Sequence, residues 1–360
     1  MRAAVARAFG KPLHIETVDI DGPGEGEIAV DVVACAICHS DIIFADGGWG
    51  GALPAIYGHE AAGIVTRLGR GVDGFTPGDH VVVTLIRSCG HCPSCSEGHP
   101  VTCGTAFYRD SHTPLRDGGG QPLTQGLRTA AFAEKIVVDA SQAVAIPKTM
   151  SLDVASLLAC GVITGVGAVL NTAGLRSGAT AAVIGTGGVG LNVIQAAALS
   201  GARAIIAIDL VASKLETARR FGATHGLLGS DPDLRLKLRA LTDGRGADYV
   251  FVTVGARAAF IQSMGLVARS GSLVLVGMPP DGVTIDIDPG FIAQDNLRIL
   301  GSKMGDSRIK VDIPRLVALY DAGKLKLDEL ISARYSLDQI NDAMAKARTG
   351  EAVRNVIMMR

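Results

Sequence analysis

Thr180–Ser200, TAAVIGTGGVGLNVIQAAALS, decides the fold. A short run of small and apolar residues enters Gly185-Thr186-Gly187-Gly188-Val189-Gly190, and an apolar stretch of helical composition follows. This is G-x-G-x-x-G between a strand and a helix, the context that gives the pattern its meaning. The first glycine permits the tight turn, the second lets a pyrophosphate approach the backbone, and the third lets helix and strand pack closely. The pyrophosphate would rest on the free N–H groups of the helix N-terminus. A glycine-rich turn of an α/β protein that binds no dinucleotide is the competing reading. Asp209 ends the next strand-like segment, where a carboxylate accepts hydrogen bonds from a ribose 2′-hydroxyl and repels a 2′-phosphate, which selects NAD over NADP. Lys214 stands where it could reinforce the ribose contact.

Around this stretch, strand-like and helix-like segments alternate. Thr180–Ile184, Ala204–Ile208, His225–Leu228, Tyr249–Val254, Leu273–Val276 and Leu297–Leu300 read as strands. Val189–Ser200, Ser213–Phe221, Leu234–Leu241 and Ala258–Ala268 read as helices. Six strands with helical crossovers predict a doubly wound parallel sheet, a Rossmann-type α/β domain over residues 161–300. The preceding residues differ. Val5–Phe9, Leu13–Val18, Glu27–Ala34, Gly63–Leu68 and His80–Thr84 are short β-rich runs separated by Gly, Pro and Asp, which predicts an irregular, mostly antiparallel β domain. In the tail, Pro314–Ala322 and Leu337–Ala347 read as helices, the second with a Ser336/Gln339 capping box, and Glu351–Met358 reads as a strand. The tail adds no strand to the parallel sheet and is expected to return to the first domain, giving a discontinuous domain of residues 1–160 and 301–360. Gly104–Leu127 is the longest stretch without a periodic pattern, expected to be a functional or interface loop.

Composition narrows the function. The chain has 360 residues, 48% hydrophobic and 19% charged, which excludes a disordered polypeptide. A formal net charge of -1 offers nothing to a nucleic acid or an acidic membrane. No apolar run approaches the ~20 residues of a membrane span. MRAAVARAFGKPLHIE at the N-terminus contains no apolar leader core, so the expectation is a soluble, cytoplasmic protein. Without an export signal, the seven cysteines point to metal ligation or catalysis rather than disulfides.

Cys89, Cys92, Cys95 and Cys103 place four thiols within fifteen residues. Four thiolates round one tetrahedral ion make a closed, structural zinc site. Four free cysteines and an iron–sulfur cluster are the competing readings. Gly90, Gly98 and Gly104 would let the chain curl round the ion. Cys38, His59 and Cys160 form a second, dispersed set. Two thiolates, an imidazole and a water make an open, catalytic type of zinc site. Spacing does not assemble these three, since a His after Gly also suits a hydrogen-bonded loop and Cys160 also suits a core.

Taken together, CHSD at Cys38–Asp41, GHEAAG at Gly58–Gly63, the Cys89–Cys103 cluster, ACGVITG at Ala159–Gly165, GTGGVG at Gly185–Gly190 and Asp209 resemble a zinc-dependent alcohol dehydrogenase of the medium-chain dehydrogenase/reductase superfamily, over essentially the whole chain. The resemblance implies a GroES-like catalytic domain built from both chain ends beside a Rossmann domain, two zinc ions per chain and NAD. It makes Cys38, His59 and Cys160 the catalytic zinc ligands and Glu60 a carboxylate near the metal. Asp41 becomes the carboxylate that orients the histidine. Ser40 becomes the hydroxyl that takes the alcohol proton. Thr164 and Val189 fall beside the nicotinamide, and His39 and Arg354 near the pyrophosphate. Trp49, Leu85 and Phe132 fall where the family lines its substrate channel, implying a medium-sized apolar or aromatic alcohol. Two departures stand out. Ile43 occupies the position of a proton-relay histidine. Gly47-Gly48-Trp49-Gly50-Gly51 lacks the carboxylates of relatives acting on S-(hydroxymethyl)glutathione. The resemblance also implies a homodimer, with a tetramer as the alternative, and a strand at Gly271–Gly277 pairing across the dimer axis. Beside this stand a glutathione-adduct dehydrogenase, a zinc-ribbon nucleic-acid binder, and a catalytically silent cofactor-binding relative. The charge balance opposes the zinc ribbon, and the intact Cys38, Ser40, His59 and Cys160 oppose the silent relative.

Overall fold

A computed structural model describes residues 1–359. The described chain divides into two compact units, one of residues 1–160, 308–323 and 327–359, the other of residues 161–307 and 324–326.

The second unit carries a six-stranded sheet. Its spatial order is His225–Leu228, Ala204–Asp209, Thr180–Ile184, Ala247–Val252, Val267–Leu275 and Arg298–Gly301, so the chain order 3-2-1-4-5-6 reverses beside Thr180–Ile184. Every pairing in it is parallel. This is the doubly wound arrangement, with the reversal point at the carboxyl end of the strand that feeds the glycine-rich turn. Its central strands are apolar on both faces, as a sheet covered on two sides requires. Helices run over Gly188–Leu199, Ala212–Arg220, Leu234–Ala240 and Arg257–Met264.

The first unit holds two mostly antiparallel sheets. One runs Leu115–Asp117, His14–Ile20, Arg2–Ala6, Ala55–Ile56, Thr124–Gln125. The other runs Ala143–Ala145, His80–Val83, Glu60–Leu68, Glu27–Ala36, Arg354–Met358, Ile331–Ser336, with Lys135–Asp139 also paired to Glu27–Ala36. The C-terminal strand lies antiparallel beside Glu27–Ala36, with Val356 opposite Ala36 and Met358 opposite Ala34. Leu337, Ile340, Met344 and Ile357 share one core with Val5, Ile28 and Val30. The tail therefore closes the first domain, as the change of texture after residue 300 predicts.

Several expectations need correction. The division falls after Ser307 rather than Leu300. Gly305 packs directly on the helix Gly161–Gly167, where a side chain on Gly167 would meet the Gly305 carbonyl at 2.3 Å. Lys324–Lys326 joins the second unit because the Gln195 amide holds the Lys326 N–H at 2.8 Å and its carbonyl at 3.1 Å. The first strand is Arg2–Ala6 rather than Val5–Phe9. The tail helix begins at Ile309, not Pro314, so the proline sits inside it. Gly104–Leu127 is not structureless. It contains a helical turn at Tyr108–Asp110 and the strands Leu115–Asp117 and Thr124–Gln125. Ser272–Leu275 is hydrogen-bonded on both sides within the chain, so Gly271–Gly277 presents no free edge there for a second copy, and the edge strands are His225–Leu228 and Arg298–Gly301. Among the described residues, no single helix is long and apolar enough to cross a membrane.

Candidate metal and dinucleotide sites

The dispersed set of ligands converges. The ligand atoms of Cys38, His59, Glu60 and Cys160 all lie within 4.8 Å of one another. Cys38 precedes the short helix His39–Ala45, His59 and Glu60 lie at the start of the strand Glu60–Leu68, and Cys160 ends the first unit's N-terminal segment. Asp41, fully buried, ties the first two together. One carboxylate oxygen accepts the Cys38 N–H at 3.0 Å, and the other accepts the Gly58 N–H at 3.0 Å and His59 Nδ1 at 2.9 Å. An ionised carboxylate only accepts, so His59 carries its proton on Nδ1. Nε2 is the nitrogen left to face a ligand, and this buried atom has no hydrogen-bond partner. Gly58 makes the approach feasible. Its φ is +91°, and a Cβ there would meet the Phe132 nitrogen at 2.6 Å.

Electrostatics fits a cation-binding cluster. Burial disfavours charge on His59, but Asp41 and, behind it, Cys38 together outweigh it and hold the imidazole well above its usual pKa. The neighbouring Cys160 thiol stabilises the Cys38 thiolate and lowers its pKa despite burial. Burial pushes the Glu60 carboxyl up to about 7 against the pull of Arg354. Two sulfurs and an unpartnered imidazole nitrogen are the donor set of a zinc site with a position to spare, and they fit that ion. The imidazole held by a carboxylate is the usual support of such a ligand.

The four-cysteine cluster also assembles. The sulfurs of Cys89, Cys92, Cys95 and Cys103 lie within 4.8 Å of one another. The Cys92 N–H points at Cys89 Sγ at 3.2 Å, the Cys89 N–H at Cys103 Sγ at 3.4 Å, and the Thr105 hydroxyl at Cys89 Sγ at 3.0 Å. Such donors favour thiolate, and at Cys89 the Thr105 hydroxyl first, then the His91 and Cys92 N–H groups, bring the pKa down to about 5. Gly90 and Gly98 adopt φ of +80° and +91°, whereas Gly104 does not enter that region and supplies no special turn. His91 turns back to its own loop, with Nδ1 2.9 Å from the Cys89 carbonyl.

In the second unit the three fingerprint glycines divide their work as the motif demands. A Cβ on Gly185 would meet Val254 at 2.4 Å, and one on Gly190 would meet the Gly185 carbonyl at 1.9 Å. One on Gly187 would meet nothing within 4 Å, so the backbone there is open to a ligand at the start of the helix Gly188–Leu199. Asp209 closes Ala204–Asp209 and reaches back to the turn. Its carboxylate accepts the Thr186 N–H at 2.8 Å, the Thr186 hydroxyl at 2.9 Å and the Val211 N–H at 3.1 Å. The role of Thr186 in aiming Asp209 had no sequence signal. Lys214 is half-buried in the first turn of the helix Ala212–Arg220, Val189 is half-buried beside Gly190, and Thr164 is buried with its hydroxyl 3.7 Å from Met304 Sδ.

Other expected residues are placed less uniformly. Ser40 lies with its hydroxyl 3.7 Å from Cys38 Sγ, and His39 is exposed on the first turn of the same helix. Arg354 is buried and ion-paired with Glu60, so in this structure its guanidinium faces the metal cluster's carboxylate. Trp49 is half-buried, edge-on to Phe44 at 5.2 Å, and Leu85 is half-buried. Phe132 has no exposed surface. It packs on Gly58 within the first unit's core.

Comparison with known proteins agrees with this geometry. Residues 24–148 match the model of the alcohol dehydrogenase GroES-like domain, and residues 188–321 that of the zinc-binding dehydrogenases. An NDMA-dependent alcohol dehydrogenase of Amycolatopsis methanolica is 35% identical, over 99% of this chain and 98% of its own. An S-(hydroxymethyl)glutathione dehydrogenase of Paracoccus denitrificans is 32% identical over 99% of both. The crystal structure of benzyl alcohol dehydrogenase from Acinetobacter calcoaceticus superposes with a TM-score of 0.94 at 30% identity, covering 100% of this chain and 99% of that one. With two cysteines and a carboxylate-held histidine gathered in a GroES-like unit, and a Rossmann unit carrying the dinucleotide turn, the chain belongs to the zinc-dependent alcohol dehydrogenases of the medium-chain dehydrogenase/reductase superfamily.

Proposed function

We propose that this alcohol dehydrogenase uses NAD, binds two zinc ions per chain, and reversibly oxidises a medium-sized apolar or aromatic primary or secondary alcohol to the aldehyde or ketone. The observation that carries the reading is the buried, unpartnered Nε2 of His59, set by Asp41 toward the sulfurs of Cys38 and Cys160. Those three side chains would hold the catalytic zinc, and the ion supplies Lewis acidity that lowers the pKa of a substrate hydroxyl. The four sulfurs of Cys89, Cys92, Cys95 and Cys103 would hold the second, structural ion.

The chain's own groups do the remaining work. Ser40 receives the hydroxyl proton. Ile43 cannot pass a proton on, so release runs through water or the exposed His39. The open backbone at Gly187 and the helix N-terminus behind it take the pyrophosphate, and Asp209 takes the ribose hydroxyls. The half-buried Trp49 and Leu85 favour an apolar substrate, and the benzyl alcohol dehydrogenase of the same fold supports an aromatic one. The Paracoccus relative favours a second reading, oxidation of S-(hydroxymethyl)glutathione. The carboxylate-free segment Gly47–Gly51 speaks against it. We also propose a homodimer, which light scattering on the purified enzyme tests.

The deciding experiment measures reduction of NAD and of NADP by the purified enzyme with aliphatic, benzylic, polyol and S-(hydroxymethyl)glutathione substrates. Highest kcat/KM with NAD and a benzylic or medium-chain alcohol is expected. A preference for the glutathione adduct, for polyols or for NADP overturns the corresponding part of the proposal.

A further inference from the structure

A cavity of about 470 Å³ lies within the first unit, between the Ala52–Pro54 segment and the chain from Arg109 to Arg128. Its volume falls in the range of small-ligand sites, about 300–1,000 Å³. Three of its lining residues are arginines, Arg87, Arg109 and Arg128, against one carboxylate, Asp110. The chain as a whole has 34 basic and 35 acidic residues, so this local excess does not follow from composition.

Each guanidinium is held differently. Arg87 has a side chain only 2% exposed, pairs with Asp110, and stacks over the Phe107 ring at 4.2 Å. Its buried Nε has no hydrogen-bond partner. Such an orphaned charged donor is costly and calls for an acceptor. Arg109 is locked flat by two bonds to Glu27, at 2.6 and 2.7 Å. Arg128 is exposed, and no carboxylate among the described residues lies within ion-pair distance of it. Its backbone is held at φ 62° between Leu127 at 51° and, two residues on, Ala130 at 57°. Left-handed geometry costs non-glycine residues roughly 1–2 kcal/mol each. The Gln142 amide donates to the Arg128 carbonyl at 3.1 Å, which fixes the backbone of this lining residue.

We propose that this cavity is an oxyanion-binding site for a small carboxylate- or phosphate-bearing molecule, with Arg87 and Arg128 as its direct donors and Arg109, held by Glu27, as a rigid part of the wall. Planar guanidinium forks suit both anion types. The site is assigned on its own geometry and does not depend on which alcohol is oxidised.

Isothermal titration calorimetry of the zinc-loaded enzyme in chloride buffer tests it, with inorganic phosphate, succinate and benzoate as separate probes. Saturable binding of at least one probe, one per chain, is expected, and the probe that binds distinguishes phosphate from carboxylate chemistry. Arg128→Ala removes an exposed side chain and should raise Kd at least about tenfold, the effect of losing one charge-assisted donor. Arg87→Lys keeps charge but loses the Nε donor and should also weaken binding. Arg269→Ala, exposed in the other unit, should leave Kd unchanged. Melting temperatures report whether each variant folds, and Arg128→Ala carries the test if Arg87→Lys does not. Absence of saturable binding by all three probes, or equal affinity in Arg128→Ala, overturns the proposal.

Discussion

Asp41→Asn is the sharpest perturbation of the metal centre, because the change is nearly isosteric and the carboxylate does three separate things. One oxygen accepts the Gly58 N–H and His59 Nδ1, the other the Cys38 N–H. Asparagine can keep the first oxygen in place. It then turns an NH₂ toward the Cys38 N–H, donor against donor, at a position with no exposed surface. A buried unsatisfied donor costs about 1–3 kcal/mol, and His59 loses its anionic partner as well. Loss of such a supporting partner typically lowers metal affinity about 10–100-fold. At about 1.4 kcal/mol per decade the two scales agree. The assay is competitive zinc removal by a chelator, following both ions of each chain. The four-cysteine site, which Asp41 does not touch, serves as the internal standard. Expected is one ion released at about 10–100-fold lower chelator concentration and the other unchanged. If both ions leave wild type and variant at the same chelator concentration, Asp41 does not organise the site, and the geometry assigned to His59 fails with it.

Gly187→Ala should leave thermal stability within about 0.5 kcal/mol, since its Cβ meets nothing, and should weaken NAD binding. Gly190→Ala should instead destabilise the second unit by about 1–3 kcal/mol, because its Cβ falls 1.9 Å from the Gly185 carbonyl; similar melting temperatures for the two variants would contradict this division of labour. Metal analysis should give two zinc ions per chain and Cys103→Ser one, and loss of both from that variant would show the sites are not independent. Burial pushes the Asp153 carboxyl up, but the Ser151 hydroxyl and Arg334 outweigh it, so its folded pKa lies below the unfolded value. The stability it contributes is present above the unfolded pKa of about 3.9 and is lost as pH falls through the folded value. Arg334→Ala should therefore move the midpoint of acid unfolding upward, and an unshifted midpoint counts against the pair.

Much of this molecule is legible along the chain because the deciding interactions are local. The glycine turn, its strand and its helix occupy 21 consecutive residues, Thr180–Ser200. The four cysteines span fifteen, and the loop closure between them is short. The parallel sheet follows from strands and helices that each bury an apolar face. Element ends were less legible. Pro314 reads as a helix start, yet five preceding residues are helical.

What no local pattern contains is convergence. Cys38, His59 and Cys160 are scattered over more than a hundred residues, and nothing in their spacing says that their ligand atoms come within 4.8 Å. That closeness depends on Asp41 bridging two loops and on Gly58 turning tightly against Phe132. It also depends on a C-terminal strand that pairs with Glu27–Ala36 and brings Arg354 to Glu60. The three arginines round the cavity are of the same kind, separated in sequence and gathered only by packing. Residue types and short spacings thus declare the chemistry on offer, while distances between remote side chains are set by sheet pairing and buried hydrogen bonds that exist only once the chain has folded.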